Sequence, residues 1–113
     1  MKLVNLLKEL DAALLTPDGI DPSLEATGCY CGDLLSNVIA RAKTGDIWLT
    51  IQTHQNIIAV AVLVNIHCII LVEGNLPQDD TLLKAKKEGI VILSTQETAY
   101  QVAGRLYTLG LGR

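Results

Sequence analysis

A chain of 113 residues, half of them hydrophobic, can bury a core without disulfides or a structural metal, and one domain over residues 1–113 is expected. Its formal charge of −3, with Lys and Arg scattered along the sequence, leaves no basic footprint for a phosphate backbone and excludes nucleic acid as a partner. Three cysteines, an odd number, argue against a disulfide framework, and Asn5, Lys8, Glu9 and Asp11 break up any secretory leader, so a cytoplasmic protein with reduced thiols is expected.

In chain order, Leu3, Leu6, Leu7 and Leu10 share one helical face and predict an amphipathic opening helix over residues 1–10. Thr16-Pro17-Asp18-Gly19-Ile20-Asp21-Pro22-Ser23 collects residues that preset φ or tolerate positive φ and reads as consecutive turns. Four strand–helix units follow. The first is a strand over about residues 24–30 and a helix over residues 33–43, with Asp33 as its N-cap and Leu34, Leu35, Val38, Ile39 and Ala42 at helical spacing.

The second unit pairs a strand at residues 47–52 with a helix opened by Thr53 and running to about Asn65. The β-branched run Ile57 to Val64 suits a strand by propensity alone. Two parallel neighbours, however, need a crossover of about a dozen residues, and this stretch supplies it as a buried helix. The apolar run from Ile57 to Val72 is interrupted by Asn65 and His67 and falls short of the ~20 residues of a membrane span, so it is read as core. The third unit is a strand at residues 68–72, a tip Glu73-Gly74-Asn75-Leu76-Pro77 and a helix over residues 79–88. The fourth is a strand at residues 90–93, a tip at Ser94-Thr95 and a helix whose face carries Ala99, Val102, Ala103, Leu106 and Tyr107. Fraying is expected over Gly110 to Arg113. The alternation predicts an α/β fold, a small mostly parallel sheet of about four to five strands flanked by helices.

Four blocks, Thr27-Gly28 with Gly32-Asp33-Leu34-Leu35, Gly45-Asp46-Ile47-Trp48-Leu49-Thr50, Cys68-Ile69-Ile70-Leu71-Val72-Glu73-Gly74 and Gly89-Ile90-Val91-Ile92-Leu93-Ser94-Thr95, occur in an order that resembles the DRTGG domain. That resemblance implies a small α/β module. Such modules are usually appended to larger proteins, beside nucleotide-sensing CBS domains, inorganic pyrophosphatase, phosphotransacetylase or dethiobiotin-synthetase-like regions, where they serve dimer contacts and regulation rather than chemistry. The family takes its name from a Gly-rich tip with an Asp-Arg pair after the second strand. Here those positions read Gln52-Thr53-His54-Gln55-Asn56, so no binding function is carried over to the tip. A resemblance to the amino-terminal part of a bacterial serine kinase for a phosphocarrier protein does not extend to kinase activity, because the chain has no P-loop.

In a parallel sheet the strand-end tips gather at one rim, where helix N-termini present unpaired amides. The candidate ligand rim is therefore Gln52, Thr53, His54, Gln55, Asn56, Asn75, Ser94 and Thr95. Asp33, Thr53 and Thr95 are equally explained as ordinary N-caps. His54 lacks a partner carboxylate or nucleophile at recognisable spacing, so no catalytic residue is assigned. Cys29 and Cys31 share a strand face, with Cys68 on a neighbouring strand, but paired Cys-x-x-Cys spacing is missing and core packing is the expectation. Trp48 is read as core or interface.

The function expected is a non-catalytic regulatory or scaffolding module, without a cofactor, that homodimerises and acts through a larger partner protein. The alternative is a sensor of a nucleotide or phosphate metabolite, using the rim as its effector site.

Overall fold

Each expected strand–helix unit forms in the computed structural model, which describes residues 1–17 and 20–112. A short helix α1 (Leu3–Leu7) and strand β1 (Ala13–Leu14) precede β2 (Gly28–Cys31), α2 (Leu35–Arg41), β3 (Asp46–Thr50) and α3 (Asn56–Val64). Then come β4 (Cys68–Leu71), α4 (Asp79–Glu88), β5 (Val91–Ser94) and α5 (Ala99–Thr108). The five strands form one sheet in the order β1-β5-β4-β3-β2. It is mostly parallel: β2, β3, β4 and β5 run alongside one another, and β1 pairs antiparallel with β5.

From β2 to β5 each strand lies beside its predecessor, and the crossovers step in one direction. Right-handed crossovers taken in one direction leave their helices on one face of a sheet. Accordingly Val38 of α2, Ile57, Ile58 and Ala61 of α3, and Ala85 of α4 cluster on the side chains Trp48, Ile69 and Ile92. The opposite face carries Ile47, Leu49, Cys68, Ile70, Val91 and Leu93, covered by Leu3 and Leu6 of α1 and by Val102 and Leu106 of α5. The register makes these faces alternate: Cys29, Ile47, Cys68 and Val91 form one row, and Tyr30, Trp48, Ile69 and Ile92 the next. With both faces covered, β3, β4 and β5 are buried throughout, as a parallel sheet between helix layers requires.

Helix ends follow local chemistry. Helix α4 begins with Asp79 and Asp80, carries Lys86 and Lys87 in its last turn before Glu88, and stops at Gly89 (φ 72°); the acids at its start and the lysines near its end complement its dipole. Helix α3 ends at Asn65 in a left-handed conformation (φ 60°), its amide turned back to Ala61 and Val62. Thr98 caps α5 in a reciprocal arrangement with Gln101, a Thr-x-x-Gln signature present in the sequence.

Several boundaries differ from the sequence-based expectation. The opening helix is shorter than residues 1–10, and the first strand of the repeating units occupies Gly28–Cys31 rather than residues 24–30. Strand β1 was not anticipated. It has two residues and owes its place to long-range bonds: the Ile92 amide donates to the Thr16 hydroxyl (3.0 Å) and the Thr95 hydroxyl to the Asp11 carbonyl (3.0 Å). Helix α2 starts at Leu35 without a side-chain cap, so Asp33 is no N-cap. Helix α3 starts at Asn56, so Thr53 is none either. Tyr107 stands out from α5 at 69% exposure. Leu111 is buried, with its amide bonded to the Leu106 carbonyl, so Gly110 and Leu111 continue the fold; Arg113 lies outside the described residues, as do Asp18 and Gly19 in the predicted turn.

Candidate functional site

Strand direction brings the predicted tips to the same end of the sheet, but most of their polar groups bind one another. The Asp33 carboxylate accepts hydrogen bonds from the Thr50 hydroxyl (2.8 Å) and the Ile51 amide (2.9 Å), and the Gln52 side chain donates to the Asp33 carbonyl (2.9 Å). The end of β3 is thereby fastened to the segment leaving β2. The Thr53 carbonyl accepts from the Thr81 hydroxyl (2.8 Å) and the Gln78 amide (3.2 Å), tying the next turn to the start of α4. His54 is exposed, and its Nδ1 accepts the Asn56 amide at 3.1 Å, which leaves Nε2 as the donor of the neutral ring. Gln55 reaches Asp80 at 3.4 Å.

The β4 and β5 tips are joined in the same way. Glu73 (φ 58°) and Gly74 (φ 74°) turn the chain sharply, and their amides donate to the Glu97 and Thr95 carbonyls at 2.9 and 2.8 Å. The positive φ of Gly74 is what favours glycine there, since a Cβ would meet only the movable end of the Gln96 side chain. The Asn75 side chain donates to the Val72 carbonyl (2.8 Å), and the Asn75 backbone carbonyl accepts the Ser94 hydroxyl (2.9 Å). The Thr95 hydroxyl also accepts the Glu97 amide. Gln52 to Asn56 and Asn75, Ser94 and Thr95 are thus brought to one rim, where hydrogen bonds within and between the tips already engage many of their polar groups.

Two consequences follow for ligand binding. In open α/β sheets the ligand crevice lies where successive crossovers diverge to opposite faces; the one-way order from β2 to β5 provides no such point. The concavity nearest the predicted residues is instead at the β1–β5 end, an open cleft of about 370 Å³ lined by Asp11, Leu15, Leu76, Ser94, Thr95 and Gln96, among others. It takes in Ser94 and Thr95 and leaves out Gln52 to Asn56 and Asn75. Asp11 was not singled out for the rim in the sequence, because its place depends on β1, whereas Gln96 follows directly from the tip after β5. A shallow groove of about 560 Å³ runs along α5 beside Tyr100, Gly104 and Tyr107, where Arg105 forks onto the Glu97 carboxylate.

The cysteines share one sheet face, as their spacing implies. Cys68 is buried in a middle strand, and burial pushes its thiol up to about 12. Cys29 is half-buried on the edge strand β2, and Cys31 beyond it is exposed. The two thiols interact: hydrogen bonding with Cys29 lowers the Cys31 thiol to about 7 against opposing burial and the Asp33 charge, while Cys29 is raised. Among the described residues, no group of three or more His, Cys, Asp and Glu side chains converges as a metal site would require.

A one-way, mostly parallel sheet with helix layers on both faces and a self-braced rim defines a small α/β module. The DRTGG domain model matches residues 5–109, and the chain belongs to that family. Among solved structures, it is similar to the CBS and DRTGG domains of the regulatory region of Clostridium perfringens pyrophosphatase, complexed with the activator diadenosine tetraphosphate. The TM-score is 0.70 over 93% of this chain, at 19% identity, a likeness that shows the fold; this chain corresponds to 45% of the length of that one. Comparison with curated proteins returns no match.

Proposed function

We propose that residues 1–113 form one DRTGG-like domain, a non-catalytic regulatory module that homodimerises in the cytoplasm and acts through a larger partner protein. The observation that carries this reading is α3. After Asn56 every residue in it is apolar, yet its outward side leaves Val62 45% and Leu63 66% exposed. A helix apolar on all sides belongs in an interior. The helices packed beside it add Ile39 at 45% and Leu83 at 68% exposure, so the apolar surface extends across the layer. A patch of this kind marks an interaction surface, and its α3 part, which carries no charged residue, can meet its own copy across a two-fold axis without like-charge repulsion.

Sedimentation equilibrium at micromolar concentration tests the proposal. The expected result is a dimer for the native chain and a monomer for Leu63→Glu, with equal far-ultraviolet dichroism. A native monomer would sink it.

The second reading, an effector site for a nucleotide or phosphate compound, is favoured by the cleft at Ser94 and Thr95 and by the nucleotide activator bound to the similar regulatory region. A thermal-shift panel of adenine nucleotides and inorganic phosphate addresses it, because a ligand at a hundred times its dissociation constant adds ~2.7 kcal/mol. An unmoved midpoint across the panel counts against it.

A further inference from the structure

We infer that the C-terminal rim of the sheet is a docking surface for a basic amphipathic helix carried by the partner protein. This rests on the first reading above, action through a partner, and not on the effector reading, because the charge of the rim disfavours phosphate. The rim consists of the tips that follow the four parallel strands, residues 32–34, 51–55, 72–78 and 95–98. Their charged side chains are Asp33, Glu73 and Glu97, and α4 adds Asp79 and Asp80 in its first turn. No Lys or Arg occurs in any of the four tips. Arg105 pairs with Glu97, whereas Asp33, Glu73, Asp79 and Asp80 form no ion pair among the described residues. Basic side chains gather at the opposite end of the sheet, where Arg41, Lys86 and Lys87 occupy the last turns of α2 and α4.

Many polar atoms of the rim are spent on one another, and what it offers outward is apolar. Leu34, Ile51 and Leu76, one from each of the first three tips, are 62%, 44% and 64% exposed. The Ile51 amide is bonded to the Asp33 carboxylate, which holds the second tip beside the first, and Leu76 borders the cleft that includes Leu15. Helix α3 starts at the rim and carries Val62 and Leu63 in its last turn, so the two apolar surfaces are distinct. From β2 to β5 the rim crosses three strand spacings of about 4.8 Å, about 14 Å in all. A helix of about ten residues covers that distance at ~1.5 Å per residue.

An apolar helical stripe flanked by Lys and Arg meets both features at once. Its stripe covers Leu34, Ile51 and Leu76, and its cations face the carboxylates around them, which sets orientation and speeds encounter. A phosphate would face the same carboxylates. At α4 the helix start, where an anion is ordinarily favoured, already carries two aspartates.

The test uses the full chain and two fluorescent peptides of about 15 residues, long enough to hold a helix. Both carry the same leucine stripe, with lysine on the polar face of one and glutamate on that of the other. Fluorescence anisotropy should show saturable binding of the lysine peptide that weakens as salt is raised, and roughly tenfold weaker binding of the glutamate peptide. Leu34→Ser combined with Leu76→Ser, both at exposed positions, should weaken the lysine peptide roughly tenfold. Asp79→Asn with Asp80→Asn should weaken it about threefold and flatten its salt dependence, and Leu63→Ser should leave it unchanged. Amide shifts in NMR should concentrate on the four tips. Equal affinity for both peptides, no binding of either, binding that survives the paired leucine substitutions, or shifts confined to α3 or α5 would each overturn the rim assignment. Self-association of the native chain that Leu76→Ser abolishes would assign the rim to a second copy and overturn it too. A native monomer in sedimentation counts against the dimer alone, so the two failures are distinct.

Discussion

The Asp33 carboxylate holds two donors of the adjacent strand, the Thr50 hydroxyl and the Ile51 amide, and the first of these belongs to a side chain that is 1% exposed. Removing the acceptor leaves a buried hydroxyl proton without a partner. Asp33→Ala should therefore cost about 1–3 kcal/mol in urea denaturation, and Asp33→Asn, which keeps one acceptor oxygen, should recover part of it. Trp48 is fastened from the same segment, its indole N–H donating to the Gly32 carbonyl at 2.8 Å. Glu97 shows what an exposed pair does: Arg105 forks onto its carboxylate and holds the carboxyl below the ordinary glutamate value. A lowered folded value means the pair contributes fully above the unfolded pKa and fades as pH falls through the folded one. In Arg105→Gln, the Glu97 carboxyl carbon should titrate at higher pH by NMR, and added salt should move the native protein the same way.

Helices of this fold are specified at their ends as much as by their apolar stripes. Helix α5 has a full reciprocal cap, with the Thr98 hydroxyl on the Gln101 amide and the Gln101 side chain on the Thr98 amide. Thr98→Ala should lower stability by about 1 kcal/mol, read from thermal denaturation. Helix α3 is the opposite case, with no side-chain cap and no charge in its last turn. Its stability comes from packing: Ile57, Ile58 and Ala61 are all at 0% exposure against β3 and β4 side chains. The same apolar monotony that secures its inner side leaves Val62 and Leu63 outside, and links the element's stability to the proposed dimer. Strand β1 is held by tertiary bonds rather than by propensity, which explains why residues 11–15 carry no readable strand signal.

Across the whole molecule, the two faces of the sheet are covered unequally. Three helices lie on one, while α5 and the five-residue α1 cover the other. Leu3 and Leu6 of α1 are 2% and 0% exposed, so this small element seals much of a core face. Leu6→Ala should cost about 2–5 kcal/mol, a large share of the roughly 5–15 kcal/mol total of a domain of this kind. Urea unfolding should show the loss in its midpoint. The radius of gyration of 12.3 Å is close to the ~13 Å typical of such a length.

Much of this architecture was legible from residue order alone. Apolar runs of strand length, separated by stretches of helical spacing, specify four βα units, because hydrophobic burial imposes a period that the chain must carry locally. The crossover argument that made the β-branched run of α3 a helix is of the same kind, since chain length between parallel neighbours is a local quantity. Four ordered blocks identified the family. What the linear pattern could not carry were relations between residues far apart in the chain. Thr16 meets Ile92, Asp11 meets Thr95, and Asp33 turns from an expected cap into a clasp on Thr50. The same holds for the rim: spacing places Gln52 to Asn56 at the correct end of the sheet, but three-dimensional pairing decides which of their donors and acceptors are already engaged. A hydrogen bond satisfied across the fold leaves no mark in the local sequence.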